Sequence, residues 1–246
     1  MRKLIIGVAA LLAVGLPSIA AADTGGSLQL TYASISDDFA SSKDNVVALS
    51  GVVITDLQAP GWRLQFNATG SDVDTYNNSY AYSQGELHAT YDMGQVQVGA
   101  FTGMLNTNGY NFYEYGVEAA LNFSRGQIAA SVAGASSPNS NLDNITTIAA
   151  TGTFELTENV SIGATASSTD FGNYGYGDNV DSYGVNIAFE IPNSNFTIGA
   201  GYRSSDFNGN NVDFVGVSVG WNFGDGAHGR RMPGAAALIP DAIAIE

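Results

Sequence analysis

The chain has 246 residues, no cysteine, 30 glycines, and 23 acidic residues against eight basic ones, which gives a net charge of −15. So acidic a chain is a poor partner for the phosphates of nucleic acid, and we exclude nucleic-acid binding as its function. The lack of cysteine excludes a disulfide framework, and the abundant glycine and scarce lysine disfavour a helical domain.

Residues 1–22 have the organisation of a secretory signal peptide. Arg2 and Lys3 precede an apolar run from Leu4 to Leu16, and small residues precede Asp23, where we expect cleavage. An N-terminal anchor helix is the alternative, but the run is short of the roughly 20 residues that a membrane-spanning helix needs. Cleavage would leave a domain in which six basic residues oppose 23 acidic ones, a net charge of −17.

Alternation of apolar residues with polar or small ones is the main pattern of the remaining chain. It is clearest in residues 212–223, VDFVGVSVGWNF, where Val215, Val217 and Val219 are separated by glycine and serine. Such a pattern is typical of a strand with one face against hydrocarbon and the other toward a wet interior. A hydropathy scan does not detect such strands, because each has only about ten alternating residues.

Taken in chain order, the alternation predicts twelve strands. The predicted strands cover residues 26–36, 45–56, 62–69, 80–91, 95–102, 112–123, 127–135, 145–156, 160–168, 182–191, 196–203 and 212–223. Tight turns near residues 59, 93, 125, 158 and 193 alternate with longer polar loops. Short turns at one rim and longer loops at the other, with an even strand count, are the organisation of bacterial outer-membrane barrels.

In each predicted strand the apolar residues occupy every second position, and we call this alternation the parity of the strand. Aromatic residues that share the positions of the apolar residues fall into two groups. One group adjoins the short turns: Trp62, Tyr91, Phe123, Phe154, Phe189, Phe196, Trp221 and Phe223. The other lies toward the loops: Tyr32, Tyr113, Tyr115, Tyr183 and Tyr202. Two aromatic girdles favour an all-β, transmembrane, antiparallel up-and-down β-barrel of about 12 strands over residues 23–223. A soluble sandwich or adhesin-like domain is the alternative, but its packed core has no reason to collect aromatics at both strand ends.

The last predicted strand resembles the closing strand of Gram-negative outer-membrane barrels, which the barrel-assembly machinery reads by aromatic residues such as Trp221 and Phe223. Together with the signal peptide and the acidic, cysteine-free composition, it makes the chain resemble the porin-type outer-membrane proteins. The resemblance implies passive diffusion of small hydrophilic solutes across the cell outer membrane. It also implies contacts with outer-membrane lipid and lipopolysaccharide, with both termini in the periplasm and no cofactor.

Parity also selects candidate pore-lining residues, the charged or titratable side chains on the inward face. They are Arg63, Glu86, His88, Glu114, Glu118, Glu155, Glu190 and Arg203. Carboxylates outnumber guanidinium groups, which predicts a weakly cation-selective channel. The alternative is a filled lumen in which Arg63 and Arg203 pair with glutamates, giving a non-conducting structural or adhesive barrel whose loops bind ligands.

Catalytic and metal sites are not predicted. His88 is the only histidine before the C-terminal tail, and no G-x-S-x-G or H-E-x-x-H pattern surrounds it, so we interpret it as a hydrogen-bonded wall residue. The aspartates of the loops match no calcium-loop spacing. Residues 224–246 lack a strand pattern, and we expect them to form either a flexible periplasmic extension or a partial plug of the lumen.

Overall fold

The structure is a computed structural model that describes residues 24–37, 44–74, 79–107, 110–137, 145–171, 179–207 and 209–224, together with Met232. The signal peptide and the rest of the tail lie outside these residues. The described ranges form twelve strands, numbered β1 to β12 in chain order. The strands are Thr24–Asp37, Asp44–Asp56, Trp62–Asp74, Ser79–Asp92, Val96–Thr107, Tyr110–Phe123, Gly126–Ser136, Ile145–Glu155, Val160–Asp170, Asn179–Glu190, Phe196–Phe207 and Asn210–Phe223.

The sheet closes on itself. Each strand pairs antiparallel with its neighbours in sequence, and β1 pairs with β12, where Gly26 lies opposite Phe223 and Leu30 opposite Val219. A closed sheet leaves no unpaired strand edge, which is the condition for a sheet to stand in hydrocarbon. The prediction of a twelve-stranded, antiparallel up-and-down barrel is confirmed. Within the described ranges, no helix is long and apolar enough to cross a membrane.

Five short turns lie at one rim of the barrel, at the predicted positions. They cover residues 57–61, 93–95, 124–125, 156–159 and 191–195. Gly61 and Gly94 have φ values of 80° and 91°, a left-handed conformation that glycine adopts without a Cβ clash. The register of the closing pair places the start of β1 and the end of β12 at this same rim. We call it the short-turn rim, and the opposite one the loop rim.

The outward face is apolar along the whole barrel. Leu30 is 53% exposed, Val185 58% and Val217 59%, and all of them follow the predicted parity. The aromatic residues predicted to form the two girdles stand on this face near the two rims, with Trp62 45% and Tyr115 61% exposed. An uninterrupted apolar band flanked by aromatic rings is the surface that a bilayer, rather than water, requires.

Several strands extend further toward the loop rim than the alternation predicts. The strand β3 continues to Asp74, so its predicted end at residue 69 was wrong. The strands β5 and β11 likewise continue to Thr107 and Phe207. The ladder of backbone hydrogen bonds persists beyond the apolar band, where the outward residues no longer need to be apolar. Alternation of side chains therefore underestimates strand length at this rim.

A charge placed on the outward apolar face tests directly whether this face of the strands meets lipid. We expect Val217→Arg to lower the free energy of unfolding in lipid vesicles by about 2–4 kcal/mol, because the charge enters hydrocarbon. Its neighbour Ser218 faces the lumen, so Ser218→Arg is the matched control and has a much smaller effect. Denaturant titration followed by tryptophan fluorescence measures both. Equal losses for the two variants would contradict the assigned faces.

Candidate functional site in the barrel lumen

The inward faces of β3 to β6 form a packed polar wall. Glu86 and His88 on β4 are 2% and 0% exposed, and Glu114 and Glu118 on β6 are 1% and 5% exposed. These four residues share the inward parity that the sequence predicts. They differ from the expected lining of an open pore in that their side chains contact one another and the neighbouring strands.

His88 is the centre of this wall. Its Nδ1 donates to Glu118 Oε1 at 2.8 Å, and its Nε2 lies 2.9 Å from Asn67 Nδ2 and 3.5 Å from Glu86 Oε2. The ring stacks on Phe101 with the ring centroids 5.2 Å apart. These contacts join β3, β4, β5 and β6 in one network, as expected of a hydrogen-bonded wall residue.

Glu114 lies in the same wall, toward the loop rim. Gln84 Nε2 donates to Glu114 Oε2 at 2.9 Å, whereas Glu114 Oε1 is buried and has no hydrogen-bond partner among the described residues. A buried carboxylate oxygen without a donor is costly unless it is protonated or solvated. Glu114 is thus the least satisfied acid of the wall.

Arg63 is held at the short-turn rim by acids rather than projecting into an open pore. Its Nε lies 2.5 Å from Asp56 Oδ1, and its Nη2 lies 3.8 Å from Asp92 Oδ2. The partners are therefore aspartates, not the glutamates that the filled-lumen alternative names. The guanidinium charge is neutralised locally and adds little positive potential to the lumen.

The opposite side of the lumen is open. A cavity of about 1060 Å³ lies against the inward faces of β8 to β12, β1 and β2, borders part of β3 and β4, and extends to the turn residues Ser124 and Glu158 at the short-turn rim. Small inward residues make this space, among them Gly199, Gly201 and Gly216. Glu155 and Glu190 border the cavity near its mouth, and Glu86 borders it from the packed wall.

Arg203 is the one predicted pore-lining cation that borders the cavity. Its Nη2 donates to Ser167 Oγ at 3.4 Å, deeper than the acidic mouth. Four of the eight predicted residues thus border the cavity: Glu86, Glu155, Glu190 and Arg203. The other four, Arg63, His88, Glu114 and Glu118, also have the inward parity but lie within packed groups.

An apolar cluster fills the interior at the loop rim, and the sequence interpretation missed it. Its members come from most of the strands and are at most 8% exposed. The larger ones are Ile35, Val46, Val73, Tyr82, Phe101, Leu105, Phe112, Ile145, Phe171, Val180 and Val212. Phe214 packs against this cluster and also borders the cavity, so it stands where the cavity meets the cluster. The signal was present as apolar residues of the inward parity near the predicted loops.

No family model matches the sequence, and no curated protein sequence matches it. Solved structures do match the fold. The NanC porin has a TM-score of 0.64 at 11% identity, with 79% of this chain and 98% of that chain covered. An outer membrane channel from Pseudomonas putida F1 has a TM-score of 0.58 at 9% identity, covering 84% of this chain and 97% of that one.

A third structure, the KdgM porin in complex with disordered oligogalacturonate, has a TM-score of 0.50 at 11% identity, with 79% of this chain and 99% of that chain covered. The chain has the porin-type barrel fold. At these identities the likeness concerns the backbone alone, and the lumen residues of this porin-type barrel have to be interpreted from their own contacts.

The His88–Glu118 contact is expected to stabilise the porin-type barrel. We expect His88→Leu to lower the free energy of unfolding by about 3–5 kcal/mol, because it removes the imidazole donor from the buried carboxylate of Glu118. The double variant His88→Leu with Glu118→Leu should lose less than the sum of the single variants. Denaturant titration in vesicles measures all three, and additive losses would mean that the two side chains do not interact.

Proposed function

We propose that the chain is an outer-membrane channel for passive diffusion of small hydrophilic solutes and ions. The observation that carries the proposal is the cavity of about 1060 Å³, bordered by charged and polar side chains, inside a closed barrel with an apolar outer band. In this proposal the short-turn rim and both barrel termini face the periplasm. The outer band contacts outer-membrane lipid and lipopolysaccharide, and Trp221 and Phe223 are the signal for the assembly machinery.

Charge at the cavity favours cations over anions. Four carboxylates border it, Glu86, Glu155, Glu158 and Glu190, against the single guanidinium of Arg203. Charges lining a confined aqueous space set its ion preference. The same balance disfavours acidic oligosaccharides such as the one bound in the KdgM structure, so we propose neutral solutes and small cations for this chain.

The cation preference is expected to depend on the mouth glutamates. Replacing both Glu155 and Glu190 by glutamine should shift the reversal potential, measured in a planar bilayer under a KCl gradient, toward zero. Asp74 and Asp181 are exposed acids near the loop rim that do not border the cavity, so replacing both by asparagine is the charge-matched control. A wild-type potential that favours chloride, or equal shifts in the two double variants, would contradict the proposed selectivity.

The apolar cluster favours a second candidate function. Its buried side chains fill the loop-rim end of the interior, as in a barrel that does not conduct and acts through its loops. As a channel, the same cluster is a hydrophobic constriction of the kind that gates by excluding water. The two functions differ in whether loosening the cluster gives current.

A substitution at Phe214 distinguishes these two functions. We expect Phe214→Ala to raise single-channel conductance in a planar bilayer, because the ring lies between the cavity and the apolar cluster. Val215→Ala is the matched control, since Val215 is the next residue of β12 and faces outward with 62% exposure. Silence of both the wild type and Phe214→Ala, with a folded barrel confirmed by heat-modifiable mobility, would favour the non-conducting barrel.

The proposal includes no catalysis and no cofactor. The side chains that His88 contacts are two carboxylates, one amide and a phenyl ring, and none of them is a hydroxyl or thiol nucleophile. In the described ranges, no group of three potential metal ligands is close enough to bind an ion.

A further inference from the structure

Met232 of the C-terminal tail lies inside the barrel. It is 2% exposed, although it follows the last residue of β12, Phe223, by nine positions. Its backbone N–H donates to Gln65 Oε1 at 3.0 Å, and its backbone carbonyl accepts from Gln65 Nε2 at 2.9 Å. One side chain of β3 therefore binds both polar groups of this tail residue.

The side chain of Met232 packs against the inward faces of β6 and β7. It forms a buried apolar cluster with Ala120 of β6 and Ala129 of β7. Gln65, Ala120 and Ala129 each stand three residues from the short-turn end of their strand, about 10 Å from that rim. Nine extended residues reach at most about 30 Å, so a chain that leaves β12 at this rim reaches the site. We call these three residues the notch.

The polarity of the notch is set by the wall behind it. Asn67 Nδ2 donates to Glu86 Oε2 at 3.2 Å, which turns Asn67 Oδ1 toward Gln65 Nε2 at 2.9 Å. Gln65 must then present Nε2 to an acceptor and Oε1 to a donor. Those are the groups that the carbonyl and the N–H of Met232 supply. The wall thus fixes the amide of Gln65 in the orientation that fits a peptide backbone.

We propose that the notch is a docking site for the chain's own C-terminal tail, with Met232 as the anchor, and that the docked Met232 acts as a partial plug on the β3–β7 side of the lumen. Three observations carry this inference: the paired backbone hydrogen bonds, the burial of the methionine, and the preset orientation of Gln65. Both Gln65 and Met232 border the cavity, so the docked residue narrows the chamber without filling it.

Cysteine labelling tests the docking. The chain has no cysteine, so Met232→Cys introduces a unique thiol into the full-length mature barrel in vesicles. We expect this thiol to react slowly with a water-soluble maleimide. Adding Gln65→Leu removes the side-chain amide that binds the backbone N–H and carbonyl of residue 232. This change should raise the labelling rate about tenfold or more.

Gln29→Leu is the matched control. Gln29 is a lumen glutamine on β1 that also borders the cavity, and its hydrogen bond is to Thr31 rather than to the tail, so its loss should leave the labelling rate unchanged. A second measurement uses Met232→Cys with Ala129→Cys and a short bis-maleimide. Cross-linking within one chain is expected, and Gln65→Leu should reduce it.

The proposal would be overturned if Met232→Cys reacted as fast in the folded barrel as in denaturant, or if Gln65→Leu left the rate unchanged while heat-modifiable mobility confirmed a folded barrel. Labelling and cross-linking do not depend on conduction. A barrel that carries no current therefore still tests the plug, and failure of the plug leaves the channel proposal standing.

Discussion

The structure depends on the closure of one antiparallel ladder, in which β1 pairs with β12 along almost their full length. Closure satisfies the backbone of every strand without an edge, and only then is an apolar outer band compatible with hydrocarbon. It also fixes the faces, because the period of two along each strand assigns every residue either to lipid or to the lumen. That assignment decides which strand residues can take part in the interior.

Residue size then divides the interior. On β3 to β6 the inward residues are mostly large and hydrogen-bonding, such as Gln65, His88 and Glu118, and they fill their side of the barrel. On β9 to β12 many are glycine, serine or threonine, which leaves the chamber beside them. Twelve strands enclose more space than the eight that side chains fill and less than the sixteen of an open porin channel. The distribution of side-chain volume therefore decides how much of the lumen is water.

The sequence predicted the faces well because lipid imposes a strong rule on one side of each strand. The aromatic girdles were assigned to the face on which the structure has them, and Glu86, Glu155, Glu190 and Arg203 border the cavity of the lumen. The interior was harder to predict, since no comparable rule acts there. The inward parity of Phe101 and Leu105 was visible, but their contact depends on which strands meet across the lumen. The position of Met232 was beyond the pattern, because a single tail residue has no periodicity.

The central claim is that the lumen has one packed wall and one open chamber that solvent reaches. Single cysteines at inward positions of the cysteine-free chain test it most directly, by labelling of the reconstituted barrel with a charged, water-soluble thiol reagent. The account predicts rapid reaction at Thr153→Cys and Asn186→Cys, which stand on the open side, and little reaction at Thr90→Cys and Gln97→Cys, which are each 1% exposed. Equal reactivity at all four positions would contradict it.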